Sequence, residues 1–169
     1  MPPVLADARD IFARFASDAE VTRYLSWPRH RTVADTDAFL QFSLDEWSRR
    51  PAGPYLIRDR RDGRLIGSTG LAVEDEARAM TGYVLARDTW GRGFATEALT
   101  AMVQIAVAMG LEELSALCHA EHQASIRVLE KCGFSRDAGV ISPMSFPNYP
   151  VAGPQPVVRY SRRTPAVIA

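Results

Sequence analysis

The residues best suited to chemistry stand in a glycine-spaced segment, residues 90–96, which reads Trp-Gly-Arg-Gly-Phe-Ala-Thr and runs into a good helix-forming sequence. Glycine adopts positive φ and has no Cβ to keep a ligand away from the backbone. The first turn of a helix has N–H groups without an internal partner, at the positive end of the helix dipole. The spacing therefore predicts an anion site for phosphate or pyrophosphate, with a tight turn that binds nothing as the alternative.

A second segment, residues 121–134, reads as a short helix closed by Gly133. Together the two segments resemble the two cofactor-binding motifs of the GNAT superfamily of N-acetyltransferases. The nearest match is its RimJ/RimL-like branch of ribosomal-protein alanine N-acetyltransferases. Residues 90–98 fit the first motif position by position, and residues 122–134 fit the second except at His122, where the family usually has asparagine. A weaker similarity continues upstream, so the resemblance covers most of the chain.

The resemblance implies that acetyl-CoA is the co-substrate. Backbone groups of Val84 and Leu85 would pair with the pantetheine amides where two strands splay apart, and the glycine-spaced segment would bind the pyrophosphate. Lys131 would contact the adenosine 3′-phosphate, although a solvated helix residue is the simpler interpretation. The implied co-substrate-binding residues are Val84, Leu85, Gly91, Arg92, Gly93, Phe94, Ala95, Thr96, His122, Ser125 and Lys131.

Acetyl transfer to an amine needs a neutral amine, a stabilised oxyanion and a thiolate that can leave. By resemblance, Ser125 lies near the thioester sulfur and donates the proton to the thiolate, whereas a serine at this place also simply favours a helix start. His119 is a candidate base and Tyr160 a candidate acid. The family often has a glutamate, a base acting through water, where this chain has Met80. The base is therefore open, with His119 and His122 as the titratable groups near the expected slot.

Composition narrows the class of protein. The 169 residues carry a formal net charge of zero, so no overall field attracts nucleic acid or an acidic membrane. Cys118 and Cys132 have neither metal-ligand nor disulfide-framework spacing, so we expect no metal. No apolar run of membrane length and no signal-like start is found, so we expect a cytoplasmic protein with an amine acceptor as its partner. A homodimer is compatible with the sequence.

The apolar periodicity changes along the chain and sets the order of elements. It predicts five helices: residues 6–15, near 21–25, after a capping box at 32–35, 95–109 and around 126–129. It predicts five strands: residues 55–57, 65–73, 80–86, 114–120 and 157–161. Residues 139–156, rich in proline and glycine, read as a long loop rather than a core element.

This order predicts one α+β domain, residues 1–169, with a mixed, mostly antiparallel sheet flanked by helices. The resemblance implies the GNAT-like acyl-CoA acyltransferase fold, in which the middle strands part to open a slot for the pantetheine arm. Only residues 1–5 precede the first helix, so the family's first edge strand is expected to be absent or vestigial.

The leading interpretation is an acetyl-CoA-dependent N-acetyltransferase that works by direct attack in a ternary complex. Its acceptor would be a protein N-terminus or a small-molecule amine. A catalytically weak acyl-CoA-binding or sensing protein of the same fold is the alternative, favoured by Met80. A purely structural domain is disfavoured by the intact glycines of the phosphate-binding segment.

Overall fold

The computed structural model describes residues 1–49 and 53–165. Its N-terminal helical segment starts with a 3-10 turn, Leu5–Asp7, continues through α1 and ends in a π-helical turn, Phe12–Ala16. The α-helices are α1 (Ala8–Ile11), α2 (Ala19–Thr22), α3 (Val33–Arg49), α4 (Phe94–Ala108) and α5 (Gln123–Lys131). No helix in the described part of the chain is long and apolar enough to cross a membrane.

Local side chains and glycines fix where the helices begin and end. The predicted capping box is confirmed, because Asp35 N–H donates to Thr32 Oγ1 at 3.4 Å and Thr32 N–H donates to Asp35 Oδ2 at 2.9 Å. Helix α4 lies between two left-handed glycines, Gly93 (φ +85°) and Gly110 (φ +74°). An L side chain rarely adopts this conformation, so both positions favour glycine.

The strands of the described residues are β1 (Tyr55–Arg58), β2 (Leu65–Val73), β3 (Arg78–Leu85), β4 (Glu113–His119), β5 (Ser135–Arg136), β6 (Met144–Ser145), β7 (Pro154–Gln155) and β8 (Val157–Arg163). Six of them form the main sheet, in the order β1-β2-β3-β4-β8-β5. Among these six, only the β3–β4 pair is parallel, so the predicted mixed, mostly antiparallel sheet is confirmed.

The outer edge of β1 pairs with the first residue of the described chain. Among the described residues no strand precedes the first helix, but Met1 exchanges two hydrogen bonds with Leu56. Leu56 N–H donates to the Met1 carbonyl at 2.7 Å, and the Met1 amino group donates to the Leu56 carbonyl at 3.2 Å. Met1 therefore pairs with the outer edge of β1 through both of its backbone groups.

The proline-rich segment is more ordered than its composition predicts. It contains the β6–β7 hairpin, and Phe146 is only 7% exposed. Asn148 fastens it to the N-terminal region, since its amide N–H groups donate to the carbonyls of Thr22 (2.9 Å) and Trp27 (2.8 Å). Its Oδ1 accepts from the Arg29 N–H at 2.7 Å. Most of residues 139–156 is loop, as the composition predicts, and the structure adds to this the short β6–β7 pair and the buried Phe146.

Two apolar clusters support the sheet. The larger packs α4 and α5 against β4 and β8, with Leu99, Met102, Leu114, Leu129 and Val158 among its members. The smaller packs the N-terminal helical segment and α3 against β1 and β2, and includes Ile11, Phe15, Leu40, Leu56 and Leu65. The central strands are thus held in place from both helical groups.

Candidate functional site

The parallel pair β3–β4 separates part-way along its length. Its register runs Arg78↔Glu113, Ala79↔Leu114 and Met80↔Ser115 and then stops, while β3 continues to Leu85 and β4 to His119. Beyond Met80, β3 stays paired with β2 and β4 stays paired with β8. A gap therefore opens in the middle of the sheet, where backbone groups of both strands are left to face it.

The backbone groups that face this gap follow from the pairing of β2 and β3. Ala86 N–H donates to the Ile66 carbonyl at 2.8 Å, and Glu74 N–H donates to the Arg78 carbonyl at 2.9 Å. Since hydrogen bonding alternates along an antiparallel pair, Val84 also directs its backbone groups to β2. Tyr83 and Leu85 direct theirs into the gap. The expectation that Val84 faces the slot is therefore corrected, since its backbone groups pair with β2, whereas those of Leu85 and Tyr83 face the gap.

The glycine-spaced segment joins the end of β3 to the start of α4. Trp90 Nε1–H donates to the Leu85 carbonyl at 2.9 Å, which holds the turn against the strand. Gly91 and Gly93 both have positive φ, and a Cβ built at either would have no atom within 4 Å. The space above the backbone is therefore open, as an approaching phosphate requires.

The first turn of α4 has N–H groups that precede its hydrogen-bond ladder. That ladder begins where Glu97 N–H donates to the Gly93 carbonyl at 3.1 Å. The N–H groups of Phe94, Ala95 and Thr96 come before it, at the positive end of a 15-residue helix. Arg92 adds a cation, with its guanidinium carbon 5.1 Å from the centre of the Phe94 ring. This segment fits the pyrophosphate that the sequence predicts.

Lys131, the last residue of α5, lies beside that turn. It lines one surface depression together with Gly93, Thr96 and Thr100. Cys132, the next residue, also reaches α4, since its thiol donates to the Thr96 carbonyl at 3.7 Å. Lys131 therefore borders the same depression as the first turns of α4.

A cavity of about 530 Å³ occupies the gap and the space next to it. Ser125, in the first turn of α5, lines it together with Tyr83, Cys118, His122 and Met80. The Tyr83 hydroxyl and Ser125 Oγ are 3.1 Å apart and share a hydrogen bond. Burial raises the pKa of Tyr83 to about 12, so its hydroxyl stays protonated at neutral pH.

Tyr83 is a residue that sequence reasoning missed. Its partner Ser125 is 42 residues away along the chain, on a helix, so no local pattern joins the two. The one available signal was the alternation of β3, which places the side chains of Ala79, Thr81 and Tyr83 on one face. Both hydroxyls lie at the gap, where a departing thiolate would need a proton.

His119 is buried, with 1% of its surface exposed, and its ring is enclosed by aromatic side chains. The ring centres of Tyr149, Tyr24 and Phe146 lie 4.5, 5.0 and 5.1 Å away. Nδ1 accepts a hydrogen bond from the Glu121 N–H at 3.1 Å, so in the neutral ring the proton belongs on Nε2. With its one lone pair already used, His119 is poorly arranged to act as a base.

His122 stands just before α5 and lines the cavity. Its ring stacks on Tyr24, with the ring centres 4.5 Å apart and the planes at 20°. Burial and the neighbouring His119 lower the pKa of His122 to about 4. The imidazole is therefore neutral near pH 7 and is a much weaker base than an ordinary histidine.

Tyr160 is placed away from the cavity. Its hydroxyl donates to Glu130 Oε1 at 3.1 Å, and its ring is 4% exposed within the larger apolar cluster. It is not among the described residues that line the cavity, and burial together with Glu130 raises its pKa. The expectation of Tyr160 as a catalytic acid is therefore corrected: the ring packs β8 against α5.

Met80 lines the cavity at the last position of β3 that pairs with β4, so no carboxylate is present at this position. The carboxylate that the described part of the chain does bring to the cavity is Glu46, on α3. No group of three or more His, Cys, Asp or Glu able to hold a metal ion is found in residues 1–49 and 53–165.

Comparisons with known proteins agree with this geometry. The family model described as "Acetyltransferase (GNAT) domain" matches residues 1–135. The chain is 30% identical over 145 residues to the uncharacterised N-acetyltransferase YoaA of Bacillus subtilis (strain 168), covering 84% of this chain and 81% of YoaA. It is 29% identical over 136 residues to the uncharacterised N-acetyltransferase p20 of Bacillus licheniformis, covering 79% and 76%.

Solved structures share the fold at lower identity. A GNAT-family acetyltransferase from Bacillus anthracis superposes with a TM-score of 0.83 at 20% identity, covering 97% of this chain and 93% of that one. The microcin C7 self-immunity acetyltransferase MccE, in complex with acetyl-CoA and AMP, gives 0.84 at 18%, covering 96% and 90%. Since the family model spans most of the chain and its relatives are N-acetyltransferases, the chain belongs to the GNAT acetyltransferase family and is an acetyl-CoA-dependent N-acetyltransferase.

Proposed function

We propose that the chain, as a single domain, transfers the acetyl group of acetyl-CoA to a primary amine by direct attack within a ternary complex. The acceptor is a protein N-terminus, as in the RimJ/RimL-like branch, or a small amine. The gap beyond Met80 is the observation that carries this proposal. It continues into one cavity lined both by Ser125 at the co-substrate side and by the N-terminal helices and α3.

Co-substrate binding divides among three groups of residues. Acetyl-CoA supplies the thioester from which the acetyl group is transferred. Leu85 and Tyr83 present backbone groups to the pantetheine arm, and the segment from Gly91 to Thr96 presents open N–H groups to the pyrophosphate. Lys131, beside the start of α4, neutralises a further phosphate.

Direct attack is supported by the state of the thiol in the cavity. Cys118 lines the cavity and is 8% exposed. Burial raises its pKa to about 11, so almost none of it is thiolate at neutral pH. Because the thiolate and not the thiol is the nucleophile, Cys118 is unsuited to carry the acetyl group as an enzyme intermediate.

Ser125 provides the proton for the departing thiolate, and Tyr83 orients it. With a pKa near 12, the Tyr83 hydroxyl stays protonated, and it shares a hydrogen bond of 3.1 Å with Ser125 Oγ in which either hydroxyl can donate. When Tyr83 is the donor, the Ser125 hydrogen is left to point into the cavity. A thiol with a pKa of about 8.5 leaves readily, so a hydroxyl is a sufficient donor.

The acceptor amine must arrive neutral, because neither Met80 nor the two histidines is arranged as a strong base. His119 Nδ1 is occupied by the Glu121 N–H, and the pKa of His122 is lowered to about 4. An α-amine with a pKa of about 8 is far more often neutral at pH 7 than a lysine amine with a pKa of about 10.4. This favours N-terminal amines and weakly basic small amines.

Structural neighbours show how varied acceptors are on this fold without choosing between them. RimL, a ribosomal L7/L12 α-N-protein acetyltransferase, matches with a TM-score of 0.83 at 17% identity. The spermidine N-acetyltransferase from Vibrio cholerae matches with 0.81 at 14%. At such identities the likeness supports the fold alone.

A screen of primary amines and N-terminal peptides tests the proposal, with release of free CoA thiol as the readout and product mass as confirmation. We expect turnover with at least one class of weakly basic amine. Tight acetyl-CoA binding by calorimetry without turnover on any amine would instead favour the acyl-CoA-binding or sensing alternative.

A further inference from the structure

Residues 144–149, the bridging segment, connect the N-terminal region with the start of α5 beside the cavity. On the N-terminal side, the Asn148 amide N–H groups donate to the carbonyls of Thr22 and Trp27. Asn148 Oδ1 accepts a hydrogen bond from the Arg29 N–H. Because both the nitrogen and the oxygen of this carboxamide have partners, the side chain holds the bridging segment in one position against the N-terminal region.

The other attachment of the bridging segment is to the turn between β4 and α5. The Tyr149 hydroxyl donates to Glu121 Oε2, and the Tyr149 ring centre lies 4.5 Å from that of His119 at the end of β4. Glu121 directly precedes His122, which lines the cavity just before α5. The bridging segment is therefore attached on both sides of the place where acetyl transfer is proposed.

Phe146 is the aromatic side chain that the bridging segment contributes to the cavity wall. It lines the cavity, yet it is only 7% exposed, so other side chains cover almost all of its ring. Its ring centre lies 5.1 Å from that of the buried His119, with the planes at 75°. A ring that is packed against another buried ring has little room to move away from an entering ligand. Phe146 therefore limits the space that the cavity offers on this side.

A tight turn connects Phe146 to Asn148. The Tyr149 N–H donates to the Phe146 carbonyl at 3.0 Å, which closes a four-residue turn with Pro147 and Asn148 at its centre. Proline has a fixed φ, so this turn has little conformational freedom. The position of Phe146 consequently depends on where the Asn148 side chain is held.

From this placement we propose that Phe146 limits the size of the group that the acceptor carries beside its amine, and that Asn148 is the positioning residue that keeps Phe146 in place. This inference rests on the proposed function, because it concerns how the same site selects its amine. Asn148 is not among the described residues that line the cavity, so it acts through Phe146 without touching the acceptor. Removal of the Phe146 ring leaves an apolar space, and such spaces admit apolar ligand groups.

Two amino-acid amides test the size limit, with kcat/KM measured by CoA thiol release. Glycinamide and phenylalaninamide share an α-amine and an amide, and they differ in one benzyl group. We expect Phe146→Ala to raise the ratio of kcat/KM for phenylalaninamide to that for glycinamide at least about tenfold, because the benzyl group is then buried where the Phe146 ring was. KM for acetyl-CoA should stay unchanged. Phe146→Leu, which disturbs the packing less, should raise the same ratio by a smaller factor.

The positioning role is tested with Asn148→Ala. We expect this variant to raise the same ratio at least about threefold, and the double variant Phe146→Ala/Asn148→Ala to match Phe146→Ala alone, since no ring is left to position. Gln155→Ala is the matched control, because the Gln155 amide also donates to two carbonyls, those of Val151 (3.2 Å) and Gly153 (3.1 Å), but not to the N-terminal region. It should lower Tm and leave the ratio unchanged.

The outcomes separate the inference from the proposed function, with circular dichroism showing which variants are folded. A ratio that stays the same in every folded variant of Phe146 overturns the size limit, as does turnover of other amines when Phe146→Ala and Phe146→Leu accept neither amide. An equal change in Gln155→Ala and Asn148→Ala, or a full effect of Asn148→Ala in the double variant, overturns the positioning role. Absence of turnover with every primary amine overturns the proposed function and the inference together.

Discussion

Replacing Gly93 with valine tests the anion site at the start of α4. Gly93 has φ +85°, and a Cβ built there meets no atom within 4 Å. Valine therefore fits without a clash, but it strains the backbone and fills the space through which a phosphate approaches the N–H groups. A non-glycine residue in this left-handed conformation costs about 1–2 kcal/mol.

Gly110→Val is a matched control. Gly110 has φ +74° and equally open surroundings, and it follows the C-terminal end of the same helix. The two sites flank a 15-residue helix that is roughly 22 Å long. Both variants should lose a similar amount of stability, which for a chain of this size lowers Tm by roughly 2–8 °C.

Titration calorimetry with CoA distinguishes them. We expect Gly93→Val to raise Kd at least about tenfold, or 1.4 kcal/mol, and Gly110→Val to leave Kd unchanged. Circular dichroism on the same preparations shows that both remain folded. Equal affinity of the wild type and a folded Gly93→Val variant would refute the assignment of the pyrophosphate to this turn.

Three further predictions concern the reaction and the fold. Ser125→Ala should lower kcat at least about tenfold with little change in Kd for CoA, and a fall in Tm alone would make Ser125 a helix-start residue. The control Ser115→Ala removes a buried hydroxyl that has no hydrogen-bond partner among the described residues, and it should leave kcat unchanged. With no strong base, kcat/KM should rise with pH towards the pKa of the acceptor amine, and Met80→Glu should raise kcat/KM near pH 7. A further inflection below that pKa which disappears in His119→Gln would assign the base to His119. Folding lowers the pKa of His122 from its ordinary 6.5 to about 4, so between these pH values the unfolded chain binds the extra proton, and the free energy of unfolding is full above about pH 6.5 and falls as the pH drops to 4. Measured by chemical denaturation, the free energy of unfolding of His122→Asn should depend less on pH over this range, and identical pH dependence in the wild type and the variant would contradict the lowered pKa.

The elements that the sequence predicts well are those with local signals. Thr32 and Asp35 mark a helix start, and Gly110 and Gly133 mark helix ends. Asp62-Gly63 lies in the turn that joins β1 to β2. Each of these features is therefore determined by residues close in sequence. The glycine-spaced segment belongs to the same group, since both its turn and its helix are encoded within a few residues.

The features that could not be predicted from the sequence depend on contacts between residues far apart in the chain. The β6–β7 hairpin has no apolar period, and it is held by Asn148, whose partners lie more than a hundred positions away. The Tyr83–Ser125 hydrogen bond likewise spans two elements. The prediction of Tyr160 as a catalytic acid is wrong because the face that a strand residue presents depends on its pairing register with the neighbouring strand. In the β4–β8 register, the Tyr160 hydroxyl is directed to Glu130 on α5.

Initial rates over a matrix of acetyl-CoA and amine concentrations test the central claim most directly, with N-acetyl product and free CoA counted in the same samples by mass spectrometry. Direct attack in a ternary complex predicts one product molecule for each CoA released and double-reciprocal lines that intersect. Parallel lines, which indicate an acetylated enzyme intermediate, would contradict the account, as would CoA release without acetylated amine.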